Sequence, residues 1–115
     1  MHELGVVFYI IDQVEETARK YTIPKVSRIT VQLGEVSTVI PSYLKDCYAW
    51  ASRKHELTKD SELEIEMIEA ITHCDSCGNA YPTVQYGRIC PHCGSERTWL
   101  LQGNECIIKE IEVCN

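Results

Sequence analysis

The chain has 115 residues, a formal net charge of −6 and 44% hydrophobic residues, which suits one small domain or a small domain carrying an extra unit. The negative net charge and the lack of clustered Lys and Arg argue against a protein that binds the phosphate backbone of a nucleic acid. The first residues lack the basic leader of a signal peptide, and no apolar run has the length of a membrane span. We therefore expect a cytoplasmic protein whose cysteines are reduced.

Two helices are predicted in the first half of the chain. Apolar side chains recur at three- and four-residue steps in residues 4–20, and Pro24 requires this helix to stop. Pro41 suits the first turn of a second helix. Trp50 lies beside the apolar stripe of that helix, as a core residue or as part of a partner surface. The predicted stripes are Leu4, Val7, Phe8, Ile11, Val14 and Ala18 in the first helix, and Leu44, Cys47, Tyr48 and Ala51 in the second.

Three strands are predicted from alternating apolar residues, over residues 27–36, 62–71 and 105–113. The second and third strands can pair as antiparallel neighbours, with the cysteine-rich segment inserted between them. The predicted fold is α+β, with two helices packed on a three-stranded sheet and an inserted four-cysteine zinc-ribbon-like knob. We expect one domain of residues 1–71 and 104–115, and a second domain of residues 72–103.

The inserted segment carries two Cys-x-x-Cys knuckles, each followed by a glycine. A gap of two residues lets both sulfurs of a knuckle face one ion, and a four-cysteine shell suits tetrahedral zinc. The alternatives are two disulfides or four free thiols, although the chain does not look secreted. Because the segment contains few apolar residues, we expect its folding to depend on the metal. The predicted zinc ligands are Cys74, Cys77, Cys90 and Cys93.

A histidine at position 2 gives the chain a possible second metal site. The amine of Met1, the deprotonated amide nitrogen of His2 and its imidazole Nδ1 can bind one ion in a plane. Square-planar nitrogen ligands favour Ni²⁺ or Cu²⁺. The alternative is a solvated terminus in which His2 has no role.

With these features together, the chain resembles the HypA family, the accessory proteins that insert nickel into [NiFe] hydrogenase and, in some organisms, urease. The resemblance covers essentially the whole chain. It lies in the opening Met-His-Glu-Leu, in residues 29–35 (Ile-Thr-Val-Gln-Leu-Gly-Glu), in residues 63–66 (Leu-Glu-Ile-Glu), in the two knuckles and in residues 102–105 (Gln-Gly-Asn-Glu).

The resemblance implies a nickel metallochaperone and not an enzyme. It implies that His2 is a nickel ligand, that Glu3 binds through its backbone or supports the site, and that the four cysteines hold structural zinc. The larger domain would then be the nickel-binding one. The implied partners are a HypB-type nickel GTPase and the hydrogenase large subunit or its maturation complex, without nucleic acid or a membrane.

Two points stay open in this reading. Residues 36–40 contain no carboxylate where some family members offer a further nickel ligand, so the candidates are Glu35, a residue of the zinc knob, water or a partner's ligand. His73 and His92 flank the zinc ligands and either bond to thiolate sulfur, are solvated, or exchange with a cysteine at the metal.

Two other classes of function use the same knuckles. A zinc-ribbon nucleic-acid module is permitted by their spacing but opposed by the acidic charge. A structural adaptor, whose zinc organises a docking surface, shares every feature except a use for His2.

Overall fold

The computed structural model describes residues 3–114, so Met1 and His2 lie outside the described part of the chain. This part is a mixed α+β structure with three helices and two three-stranded sheets, and the predicted fold class is confirmed. The elements in chain order are α1 Glu3–Tyr21, β1 Val26–Gly34, α2 Pro41–Ser52, β2 Glu62–Ile68, β3 Ile71–Cys74, β4 Ala80–Pro82, α3 Thr83–Tyr86, β5 Thr98–Gln102 and β6 Cys106–Val113.

The chain divides into two compact units. Unit 1 comprises Met1–Gln32, Thr38–Glu66 and Ile107–Asn115, and unit 2 comprises Leu33–Ser37 and Met67–Cys106. No helix among residues 3–114 is long and apolar enough to cross a membrane.

The first sheet has the strand order β2-β1-β6. Arg28 pairs with Glu62 near the start of β1 and β2, and Gln32 donates a hydrogen bond to Glu66 near their ends. The two strands therefore run parallel, and α2 is the helical crossover that a parallel pair requires.

β6 lies on the other side of β1 and runs antiparallel to it. The Cys114 N–H donates to the Lys25 carbonyl, and the Ser27 hydroxyl donates to the Glu112 carbonyl. The predicted pairing of the second strand with the last one is therefore wrong, because β1 lies between them. Most residues of β1 are buried, whereas none of β6 is. β1 therefore occupies the centre of the sheet, where its apolar side chains are removed from water.

The core of unit 1 follows most of the predicted stripes. Leu44, Tyr48 and Ala51 are buried as predicted, whereas Cys47 is only half-buried. Leu4 and Phe8 were predicted to be in the core but are exposed, because α1 turns Val6 and Ile10 inward instead. The buried residues of α1 are Val6, Val7, Ile10, Ile11, Val14 and Ala18.

The second sheet, in unit 2, has the order β4-β3-β5, with β3 antiparallel to both neighbours. The strand predicted over residues 62–71 is in fact divided, since β2 ends at Ile68 and β3 begins at Ile71. The segment Leu33–Ser37 joins this unit through backbone hydrogen bonds. Glu35 donates to Ile68, Val36 donates to Gly103, and Gly34 donates to Glu105.

Candidate metal centre

Four cysteines of unit 2 meet at one point. The sulfurs of Cys74, Cys77, Cys90 and Cys93 all lie within 4.8 Å of one another. Two of the distances, Cys74 to Cys93 and Cys77 to Cys90, are 3.6 Å. All seven cysteines lie within residues 3–114, and the structure joins none of them in a disulfide.

The spacing of the four sulfurs matches that of the ligands in a tetrahedral metal site. With metal–sulfur bonds of about 2.3 Å, the sulfurs of a four-cysteine zinc site stand about 3.8 Å apart. The two sulfur–sulfur distances of 3.6 Å are within a few tenths of an ångström of that value. A tetrahedral shell of four sulfurs suits zinc or iron, and it excludes the hard cations that prefer oxygen.

The two knuckles have the same backbone hydrogen bonds. In the first, the Gly78 N–H donates to the Cys74 carbonyl at 2.9 Å, and in the second, the Gly94 N–H donates to the Cys90 carbonyl at 2.8 Å. Both glycines have a positive φ, of 77° and 75°. This conformation strains any residue with a Cβ, so the glycine after each knuckle closes the turn that holds both sulfurs on the same side.

Each knuckle offers one buried and one exposed sulfur. Cys74 and Cys90 are buried and form a small apolar cluster with Tyr81. Cys77 and Cys93 are exposed. The cluster therefore has an inner side packed against Tyr81 and an outer side facing solvent.

The pKa values of the two outer cysteines, Cys77 and Cys93, are shifted in opposite directions. The backbone N–H of Asn79 donates to Cys77 and, with bonds from neighbouring thiols and the Asn79 amide, lowers its pKa to about 7. The Ser95 N–H also lowers the pKa of Cys93, but desolvation and the adjacent thiols outweigh it and raise this pKa to about 12. Without a cation, the four sulfurs therefore cannot all ionise near neutral pH.

His73 and His92 are not part of the four-sulfur shell. The ring of His73 packs against that of Trp99 in a tilted arrangement, with centroids 5.3 Å apart, and its Nε2 is 3.8 Å from Asp75 Oδ1. The Trp99 indole donates to the same oxygen at 3.0 Å. His92 is exposed. In this arrangement His73 supports the turn beside Cys74.

The N-terminal candidate site is described only from Glu3 onward, since Met1 and His2 lie outside the described residues. The Glu3 carboxylate accepts a hydrogen bond from the Ile40 N–H, at the start of α2. Glu35, a candidate for the remaining nickel ligand, accepts a hydrogen bond from the Ala70 N–H at 2.9 Å within unit 2. Both carboxylates therefore have structural roles.

Sequence reasoning missed several residues around the cluster. Asn79 bonds the Cys77 sulfur, Tyr81 covers the inner side, and Trp99 with Asp75 braces the first knuckle. Only the placement of Asn79, directly after the knuckle glycine, was a local signal. The other contacts depend on the pairing of β3 with β4 and β5, which no local pattern encodes.

Comparison with known proteins decides the family. The family model described as "Hydrogenase/urease nickel incorporation, metallochaperone, hypA" matches residues 1–113. The chain belongs to the HypA family. The family is described as one of metallochaperones for nickel incorporation. The predicted resemblance is therefore confirmed.

Relatives and solved structures agree with this assignment. The chain is 33% identical to the hydrogenase maturation factor HypA of Chlorobaculum parvum, over 98% of this chain and 99% of that protein. It is 30% identical to the hydrogenase maturation factor HybF of Klebsiella pneumoniae, over 97% and 98% of the two chains. The solution structure of the Ni metallochaperone HypA from Helicobacter pylori has a TM-score of 0.75 at 29% identity, covering 98% of this chain and 97% of that one.

Proposed function

We propose that this HypA-family protein binds Ni²⁺ at its N-terminus and delivers it during maturation of [NiFe] hydrogenase. The family match over residues 1–113 carries this proposal, because it includes the opening Met-His-Glu as well as the knuckles. The Met1 amine with the amide and imidazole nitrogens of His2 would form the chelate. Urease is a second candidate client, since the family description includes it.

Glu3 has a supporting role in this proposal. Its carboxylate already accepts the Ile40 N–H, which ties the beginning of α1 to the beginning of α2. That bond favours a nickel site built from nitrogen atoms, with Glu3 holding the terminus in place. Because Glu35 is bonded to the Ala70 N–H, water or a partner's ligand is the better candidate for the remaining position on nickel.

The four-cysteine cluster is the second metal site of the proposal. Cys74, Cys77, Cys90 and Cys93 would hold one structural Zn²⁺, and the ion would supply the charge that lets all four sulfurs ionise. In the proposed division, residues 1–71 with 104–115 form the nickel-binding domain and residues 72–103 form the zinc-binding domain. Elemental analysis of the purified protein distinguishes zinc from iron.

The protein would act by transfer and not by catalysis. Its proposed partners are a HypB-type nickel GTPase and the hydrogenase large subunit or its maturation complex, in the cytoplasm. A chelate at the end of the chain suits this role, because an incoming ligand can displace the terminal nitrogens one at a time without opening a buried pocket.

Replacing His2 tests the proposal. We expect the untagged, zinc-loaded protein to bind about one Ni²⁺ and the His2→Ala variant to lose at least a hundredfold in affinity, because the imidazole and its chelate ring are gone. Calorimetric titration with elemental analysis measures both metals. His92→Ala, at an exposed histidine beside a knuckle, is the control and should bind nickel as the wild type does. Nickel binding by His2→Ala at wild-type affinity would refute the site.

Nickel affinity should also fall with pH. The amine, the amide and the imidazole must all lose protons to bind, and histidine has a reference pKa of about 6.5. Protons therefore compete most effectively below that value. Titrations at pH values on either side of it should show a steep loss of nickel on the acid side with zinc retained. A pH-independent nickel affinity would exclude the nitrogen chelate.

A further inference from the structure

The outer side of the four-cysteine cluster carries two exposed cysteines, Cys77 and Cys93. Zinc binds cysteine as the thiolate, and the thiolate is the form that reacts with oxidants. Of the three cysteines outside the cluster, Cys47 and Cys106 are half-buried and Cys114 is exposed. Cys77 and Cys93 are therefore the cysteines that combine exposure to solvent with a place in the proposed zinc shell.

Each exposed cysteine has the buried cysteine of the other knuckle close to it. The distance between the sulfurs is 3.6 Å for Cys93 and Cys74, and it is also 3.6 Å for Cys77 and Cys90. A disulfide brings its two sulfurs to about 2.05 Å, so a short movement of the side chains separates each pair from a bond. An oxidised outer sulfur can therefore be captured by the sulfur of the other knuckle.

The two knuckles differ in the hydrogen bonds to their exposed sulfurs. The residue two positions after the exposed cysteine is Asn79 in the first knuckle and Ser95 in the second. Each donates its backbone N–H to that sulfur, and the Asn79 amide also donates to Cys77 at 3.4 Å. The Ser95 hydroxyl instead accepts the Arg97 N–H at 3.0 Å and shares a hydrogen bond of 2.8 Å with the Ser76 hydroxyl. Among the described residues, the outer sulfur of the second knuckle thus has one N–H donor fewer.

This difference favours Cys93 as the more reactive sulfur. Hydrogen bonds stabilise the negative charge of a thiolate, and its nucleophilicity falls as the thiolate becomes more stable. Cys93 should therefore attack an oxidant before Cys77 does, and Cys74 is the buried sulfur that lies beside it.

We propose that Cys93 is a site of oxidation by hydroperoxides and that Cys74 captures the oxidised sulfur in a cross-knuckle disulfide. The Cys93 thiolate attacks a peroxide oxygen, so that an S–O bond forms, the O–O bond breaks, and hydroxide or alkoxide leaves. The Cys74 thiolate then attacks the sulfur of this sulfenic acid, so that the S–S bond forms and hydroxide leaves. The two sulfurs lose two electrons, and these reduce the peroxide.

The disulfide takes two of the four thiolates away from the metal. The inference rests on the proposed zinc in the cluster, because Cys77 and Cys90 alone would be left to hold the ion. We therefore expect zinc to leave as the disulfide forms, and to return when a dithiol reductant and zinc are added. The cluster would then be a reversible peroxide-sensitive switch on unit 2.

The test treats the full-length, zinc-loaded protein with one equivalent of hydrogen peroxide, alkylates the remaining thiols at once, and locates the disulfide by mass spectrometry. Trypsin cleaves after Arg88, between the knuckles, so a cross-knuckle disulfide joins two peptides that a within-knuckle disulfide leaves separate. We expect joined peptides in which Cys77 and Cys90 are alkylated, with about one zinc released to a chromophoric chelator per disulfide. Cys114→Ser, outside the cluster, should give the same result.

Exchanging the residues at the two unequal positions tests the choice of sulfur without removing a zinc ligand. Asn79→Ser takes the extra donor from Cys77 and should raise the share of the Cys77–Cys90 disulfide at least about threefold. Ser95→Asn supplies the second knuckle with that donor and should slow the release of zinc by a similar factor.

Three results would overturn the inference: disulfides within the knuckles, a Cys77–Cys90 disulfide as the main product in the wild type, or zinc retained after peroxide treatment. A purified protein without zinc in the cluster would overturn both this inference and the proposed zinc site. None of these results bears on the proposed nickel chelate, which the titration of His2→Ala tests separately.

Discussion

Gly34→Ala is expected to unfold unit 2 or to destabilise it by at least about 3 kcal/mol, since added atoms in a packed region are costly and bonded backbone groups would separate. A Cβ at this position would lie 2.0 Å from the carbonyl oxygen of Gly103, a backbone atom that cannot rotate away. Relief of that contact would part the Gly34 N–H from Glu105 and the Val36 N–H from Gly103, now 2.7 and 2.9 Å bonds.

Chemical denaturation of Gly34→Ala measures this loss. Gly5→Ala is the matched control, because it lies in the first turn of α1 and the added Cβ meets nothing within 4 Å. Alanine favours a helix over glycine, so Gly5→Ala should stabilise unit 1 by at most about 0.5–1 kcal/mol. A Gly34→Ala protein as stable as wild type would show that Gly34 and Gly103 are not in close contact.

Cys90→Ser should remove the metal and abolish the cooperative fold of unit 2. The buried cluster around the knuckles is small, comprising Cys74, Tyr81 and Cys90. Ordering each residue costs roughly 1–2 kcal/mol of backbone entropy, which so little buried surface cannot offset. Binding of structural zinc supplies about 10–16 kcal/mol in small metal-dependent folds, so the ligand set decides whether the unit is folded.

The two tryptophans distinguish the units in this experiment. Trp50 is in unit 1 and Trp99 is in unit 2, bonded to Asp75 beside the first knuckle. In a Trp50→Phe background, Cys90→Ser should shift the Trp99 emission to that of an unfolded chain. In a Trp99→Phe background, the Trp50 emission should stay native. Cys114→Ser, at an exposed cysteine outside the cluster, is the control. A Cys90→Ser protein with native Trp99 emission and no zinc would contradict metal-dependent folding.

Periodicity predicted the elements that bury one face. α1, α2 and β1 have regular apolar steps, and Pro24 and Pro41 mark the boundaries, so their positions agree closely with the structure. The knuckles were equally predictable, because two sulfurs at a fixed short spacing can face one ion in only a few ways. An element could be predicted from the sequence wherever its cause lies in neighbouring residues, as with an apolar stripe, a proline or a knuckle.

The remaining features depend on contacts between distant parts of the chain. In the order β2-β1-β6, the strand with the most apolar surface to bury is central. Alternation within each strand predicts a strand but does not predict which strand lies in the middle of the sheet. Leu33–Ser37 belongs to unit 2 because Gly34 and Gly103 approach closely, which no local pattern signals. The exposure of Leu4 and Phe8 was also unpredicted, since an apolar stripe looks the same whether it faces a core or a partner.

Nickel X-ray absorption spectroscopy of the untagged protein, loaded with one nickel and one zinc, tests the central claim most directly. The N-terminal chelate predicts a nickel shell of nitrogen and oxygen only, with the outer-shell scattering of an imidazole, and the loss of that scattering in His2→Ala. The zinc spectrum of the same sample should show four sulfurs at about 2.3 Å. Sulfur in the nickel shell would place the nickel at the cysteine cluster and contradict the N-terminal site.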